Sequence, residues 1–193
     1  AWVSYGRGSA SADLPAFVTI CPTLAHGGAN NWGSAFLPAR HQGVPLGVAS
    51  RPATEARMKF IANPRWSPAV QEEQIDLVRR LDAAAGQAGA LVEGRLESFE
   101  LAFRMQRAMP AVEDLSGETP ETLALYGLDD PVTANFGRQC LLARRFAEAG
   151  VRYIQVTHSD PKVQWDQHSD LLAGHTEKAT EVDRPIAGLL ADL

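Results

Sequence analysis

The stretch FGRQCLLARRFAEAGVRYIQVTH, from Phe136 to His158, constrains the fold more than any other. Apolar residues recur three and four apart from Phe136 to Ala149, which predicts an amphipathic helix. Gly150 stands where helices commonly end on a left-handed residue. Val151 then opens a β-rich apolar run at once. Helix, one glycine, apolar strand is the αβ half of an α/β layered fold. Strand side chains alternate, so Ile154, Val156 and His158 share one side. His158 is then the last member of a buried row, at the carboxyl end, where open α/β sheets place their sites.

One other segment reads clearly as a strand. AFVTIC, Ala16 to Cys21, is short, β-rich and closed by Pro22. The expected class is α/β, a central sheet flanked by helices. Strand 151–157 should be buried, with helix 136–149 and the last helix packed on it. Two strands make an incomplete sheet with a bare edge, so the chain alone should be marginal or associate. The chain opens on AWVSYGRGSA and stops inside the apolar pattern IAGLLADL, and it reads as an internal piece of a longer protein, incomplete at both ends.

Three regions make up this single partial domain. Residues 1–66 hold the first strand and a long Gly- and Pro-rich loop, anchored by Trp32, Phe36 and Leu37, with Asn31 and Trp32 as candidates for a substrate loop. Residues 67–110 are helical: Ser67 is a suitable N-cap and Pro68 fits the first turn. Ile75, Val78, Leu81 and Ala85 continue into Leu91, Leu96, Phe99, Phe103 and Met105 across the weak break GQAG, and Pro110 ends the region. Phe99, Phe103 and Met105 are expected in the core. Residues 136–193 close the chain. Its last helix should carry a stripe of Leu172, His175, Ala179, Val182, Ile186, Leu189 and Leu193, in phase across Pro185.

Between strand and last helix lies WDQH, residues 165–168. In extended chain, residues i and i+2 point the same way, so Asp166 and His168 could reach one ion. A carboxylate oxygen and an imidazole nitrogen suit zinc, and also manganese or iron. Two ligands are too few for a closed site, and a third would come from His158, His175 or beyond the chain. The structural alternatives are ordinary: Ser169 or Asp170 as the helix cap, and His158 and His175 as core histidines bonded to backbone. His26 and His41 lie in Gly-rich loop and are expected to be solvated. Cys21 and Cys140 make neither a metal spacing nor a disulfide framework. A net charge of −5 without a basic stripe argues against a nucleic-acid partner. Every apolar run is too short to span a bilayer.

The texts AWVSYG, LPAFV, NNWGSAFLPARHQG, ESFELAFRMQ, LYGLDD, FGRQCLLARR, VRYIQVTH, WDQHSDLLAGH and DRPIAGLLADL are jointly specific. Through them nearly the whole chain resembles the DUF1501 family, sulfatase-like bacterial proteins placed among alkaline-phosphatase-like folds. The resemblance implies a partial fold of that layered kind and hydrolysis of phosphate or sulfate esters, small-molecule or glycan, with divalent metal. It implies a ligand pair at Asp166 and His168 beside Trp165, and a ligand or supporting role for His175. It also implies export, although the chain shows no signal peptide. The family's upstream acid and nucleophile, its Gly-Glu-Phe-Gly-Arg element and its later Asp-His pair have no counterpart here. Two other readings compete: an inert cell-envelope binding protein of the same fold, and an interaction module whose helical region, residues 68–109, exposes an apolar face.

Overall fold

A computed structural model describes residues 1–25, 27–84, 86, 90–158 and 165–193. His26, Ala85 and Asp160 lie outside them. A short helix, α1 (Trp2–Arg7), precedes strand β1 (Phe17–Ile20). Strand β2 (Val44–Leu46) lies on one side of β1, and β3 (Tyr153–Val156) on the other, all parallel. The register sets Val18 against Val44 and against Ile154. Helices α2 (Pro68–Ala84), α3 (Ala90–Glu113), α4 (Pro120–Leu125), α5 (Ala134–Glu148) and α6 (Leu171–Asp192) complete the order. The protein is α/β, a small parallel sheet flanked by helices.

The buried strand is β1, not β3. All four residues of β1 are buried, because it is central and covered on both faces. β3 is the edge among the described strands, and its residues are exposed or half-buried. Val151, just before it, is buried in the core, and Ile154 and Val156 pack against that core half-buried. α5 packs on β3 as expected, whereas α6 packs mainly on α5. Strand β2 lies hidden inside the Gly- and Pro-rich segment. Its three residues centre on Pro45, which cannot donate to a ladder and is tolerated because β2 is an edge. Gly43 just before it is wedged in: a Cβ there would come 2.6 Å from the Phe17 ring and 2.9 Å from Trp32 Cβ. Trp32 and Leu37 are buried loop anchors, but Phe36 is exposed and meets the edge of the Trp2 ring, centroids 5.4 Å apart.

The helix–glycine–strand unit closes as its sequence predicts. Gly150 has φ 90°, its N–H reaches Ala147 O at 3.0 Å, and the Val151 N–H reaches Phe146 O at 2.9 Å. This is a complete Schellman motif. Leu141, Leu142, Phe146, Tyr126 and Met109 form the deepest packing with Val18, Ile20 and Leu46. Met105 joins them, while Phe99 is exposed and Phe103 half-buried. α3 continues one short stretch past Pro110 instead of stopping there. Its last carbonyls find a partner on α5: Arg145 Nη2 donates to Ala111 O at 2.7 Å and Nε to Val112 O at 2.8 Å.

Glu118 fastens the same corner. Its side chain is 7% exposed and accepts from Arg144 Nη2 and Arg145 Nη1, both at 2.6 Å. Burial works against the Arg144 charge, and the Glu118 and Glu148 carboxylates more than offset it, holding the guanidinium above its ordinary value. Removing Glu118 leaves Arg145 without a carboxylate partner among the described residues, while Arg144 keeps Glu148 and Asp192. Glu118→Gln should therefore cost roughly 3 kcal/mol in urea unfolding. A change within about 0.5 kcal/mol, the usual effect of a surface substitution, would contradict the clamp.

Both thiols are buried and free. Burial pushes Cys21 up to about 11 and Cys140 up to about 12. Neither is a thiolate at neutral pH, so neither should react with a thiol reagent until the fold opens. An acid raised on folding stabilises fully below its unfolded pKa, 9.0 here, and that stability is lost as pH rises through about 11 to 12. Ellman titration at about pH 7.5 should find no fast thiol in the native chain and two in denaturant. A fast native thiol would refute the packing.

Candidate functional site

The segment 165–168 sits where β3 hands over to α6. Two of its side chains turn toward the body and two turn out. Trp165 stands between His158 and His175, ring centroids 5.7 Å and 6.1 Å away. Gln167 lies over Gly174, where a Cβ would come 2.5 Å from its Oε1; a larger residue at 174 would evict it. Asp166 and His168 are the outward pair, with side chains 89% and 86% exposed. His168 Nε2 is 3.2 Å from Asp166 Oδ2. The two predicted donors thus lie side by side, as their i, i+2 spacing suggested. Asp170 then starts α6 in a left-handed conformation, φ 49° and ψ 45°, without a side-chain capping bond. Aspartate tolerates that region better than most residues, at a cost of order 1–2 kcal/mol.

His158 plays a different part. Trp165 Nε1 donates to its Nδ1 at 3.1 Å, and indole N–H can only donate. Nδ1 therefore carries the lone pair and Nε2 the hydrogen, which goes to Glu181 Oε2 at 2.7 Å. Lys178 Nζ meets the other Glu181 oxygen at 2.9 Å. The ring also stands edge-on to Phe136, centroids 5.0 Å apart. Both ring nitrogens are thus spent on protein partners, and His158 orients Trp165. His175 donates from Nδ1 to Leu171 O at 2.9 Å, which leaves the lone pair on Nε2. That tautomer is the one in which second-shell bonds hold ligating histidines. Among the described residues, no three His, Cys, Asp or Glu side chains form a group able to hold an ion.

Glu181 was not legible as part of this arrangement, because the packed face of α6 is turned from its apolar stripe: Val182 and Leu189 of the stripe still pack against the core. Pro185 and Gly188 are buried and Lys178 and Glu181 half-buried, whereas Leu172, Ile186 and Leu193 are exposed. Gly188 explains the phase. A Cβ there would come 2.6 Å from Leu125 O, so the helix approaches the α4 corner backbone to backbone. The helix runs unbroken through Pro185, as its phase suggested. An open groove along this helix is lined by Trp165, Asp130, Thr133, Thr176, Thr180 and Asp183, with a volume of about 770 Å³.

His41 is not solvated but buried. Its Nδ1 lies 3.2 Å from Ser4 Oγ, which itself donates to Ala1 O, and its Nε2 accepts from Arg40 Nε at 3.3 Å. Burial, and then the Arg40 charge, hold it below the ordinary imidazole range. In this tautomer Nδ1 donates to Ser4, the reverse of a base that activates a hydroxyl. Asn31 is exposed and Trp32 buried, its carbonyl taking the Gly43 N–H at 2.7 Å.

The family model described as a protein of unknown function, DUF1501, matches residues 1–193. The chain belongs to the DUF1501 family. No curated protein and no solved structure matches it. Within this DUF1501 chain no helix among the described residues is long and apolar enough to cross a membrane. The outward Asp166–His168 pair remains its most distinctive chemical feature, since both donors are exposed and held on a backbone that Trp165 and Gln167 pin down.

Proposed function

We propose that this chain is part of a metal-dependent hydrolase of phosphate or sulfate esters, built on alkaline-phosphatase-like layering and working outside the cytoplasm. The observation that carries the reading is the 3.2 Å approach of Asp166 and His168, presented outward beyond the carboxyl end of a parallel sheet. Carboxylate plus imidazole is a donor set that fits zinc, with manganese or iron as alternatives. A divalent metal bound there would supply Lewis-acid stabilisation of charge on the transferring group. The further donors would come from beyond the described residues.

The other residues have roles that need no ion. Trp165 and Gln167 hold the backbone so that the donors alternate outward. His158 and Glu181 hold Trp165. His175 keeps Nε2 available on the same side of α6. The groove beside Trp165 offers hydroxyls of Thr176 and Thr180 and the carboxylates of Asp130 and Asp183. That lining suits the hydroxyl-rich leaving group of a glycan ester, with the indole edge as its apolar wall.

A catalytically inert binding protein of the same fold is the second reading. It is favoured by one observation: both thiols are buried and protonated, so neither serves as nucleophile. Turnover of aryl phosphate and aryl sulfate by the complete protein separates the two. The hydrolase reading expects turnover that a chelator removes and added divalent metal restores. Metal retained without any ester cleavage would favour the binding protein.

A further inference from the structure

The helical hairpin carries an apolar face that the fold leaves open. α2 makes its main contact with α3, through the side that holds Gln71 and Ile75. Gln71 is buried there and accepts from Gln106 Nε2 at 2.9 Å. A second stripe runs along the flank: Val70, Gln74, Leu77, Leu81 and Ala84 recur at intervals of four and three. Leu77 and Leu81 are 47% and 61% exposed. An open groove lined by Val70, Glu73, Gln74, Leu77 and Arg80 follows the same flank.

The charges beside that stripe say what would cover it. Arg79 is engaged already, at 2.6 Å from Glu100 and 3.5 Å from Asp76. Glu73 and Arg80 have no ion-pair partner among the described residues. They edge the stripe on one side, two helical turns apart, too far to meet within one helix. In a second α2 laid antiparallel, with a two-fold axis beside Leu77, Glu73 of each copy falls opposite Arg80 of the other. The pair then forms twice, and Leu77 packs against its own symmetry mate. A parallel arrangement would instead put Glu73 and Arg80 of the two copies on opposite sides of the seam, where the cross-pairs cannot form. A self-complementary patch of this kind is what a two-fold interface requires.

We infer that the outer face of α2 is a homodimer interface, two α2–α3 hairpins packing antiparallel across a two-fold axis at Leu77. The inference goes beyond the ester-hydrolase reading and stands or falls apart from it. Two helical hairpins meeting along one flank bury an area at the small end of specific interfaces, under about 1,200 Å². The dimer should therefore dissociate in the micromolar range, about 1–100 μM.

The test uses the complete protein in sedimentation velocity across concentration. Glu73→Arg should weaken the dimer about tenfold or more, because both cross-pairs turn repulsive. Arg80→Glu should do the same, and the double swap Glu73→Arg with Arg80→Glu should restore wild-type association. These residues are exposed, so circular dichroism should stay unchanged. Leu77→Cys should form an intermolecular disulfide with itself under mild oxidation; the native thiols are buried and will not compete. Three results would overturn the inference: a monomer at every concentration, a dimer indifferent to both single reversals, or a Leu77→Cys thiol that maleimide cannot reach in a monomeric complete protein.

Discussion

Gly137→Ala should destabilise the fold by more than about 3 kcal/mol, and leave little native protein. Alanine in place of glycine inside a helix ordinarily stabilises by roughly 0.5–1 kcal/mol, so the expected sign is reversed. The reason is a three-way crossing. A Cβ at Gly137 on α5 would overlap the Tyr126 carbonyl oxygen, and one at Gly188 on α6 would come 2.6 Å from the Leu125 carbonyl oxygen. The end of α4 is thus clamped between two glycines on two helices. Both obstacles are backbone atoms, which cannot rotate away. Tyr126 is fully buried just there, its hydroxyl donating to Asp192 at 2.9 Å, so the corner cannot shift without unpacking the core. Gly188→Ala should show the same sign with a smaller cost. Gly6→Ala in α1, where nothing lies within 4 Å of the new methyl, should instead keep the ordinary sign and stabilise by up to about 1 kcal/mol. Chemical denaturation of the three variants checks the set, and a Gly137→Ala protein as stable as wild type would refute the crossing.

The second large effect concerns the outward pair. On the proposed metal-dependent reading, Asp166→Ala and His168→Ala should each abolish tight metal binding in the complete protein, because each would remove one of the two proposed donors. Substitutions behind the pair should cost less. Trp165→Ala and His175→Ala should weaken metal binding roughly 10–100-fold, the usual consequence of losing a group that orients or supports a ligand. Glu181→Gln should act in the same direction through His158, whose ring it holds at 2.7 Å. The graded order matters more than any single value. Equal losses at Asp166, His168 and Glu181 would mean a general collapse of the segment, not a set of ligands and supports.

The elements that sequence revealed were those governed by local rules. The α5–Gly150–β3 unit was legible because a 3.6-residue stripe and a left-handed glycine are properties of neighbours along the chain. The Asp166–His168 pairing was legible because it depends only on two side chains two residues apart along the chain. What stayed hidden depended on distant partners. β2 was hidden by Pro45, acceptable because the strand is an edge among the described strands. β3 looks buried from its apolar residues, yet its exposure depends on what stands beside it in the sheet. α6 shows a clean apolar stripe, and Val182 and Leu189 of it do pack against the core, but the buried Gly188 and Pro185 turn the packed face by allowing close approach. That turn put Glu181 inward, where it could take up His158. Hydrophobicity alone suggests a loop anchor at Phe36 and a core residue at Phe99, and both are exposed.

The measurement that bears most directly on the proposed ester hydrolase is the metal content of the complete protein, determined for wild type beside Asp166→Ala and His168→Ala, with folding of each verified. The proposal predicts bound zinc, manganese or iron in the wild type and its loss from both variants. A wild type that holds no divalent metal, or variants that keep all of it, would contradict the assignment of Asp166 and His168 as ligands.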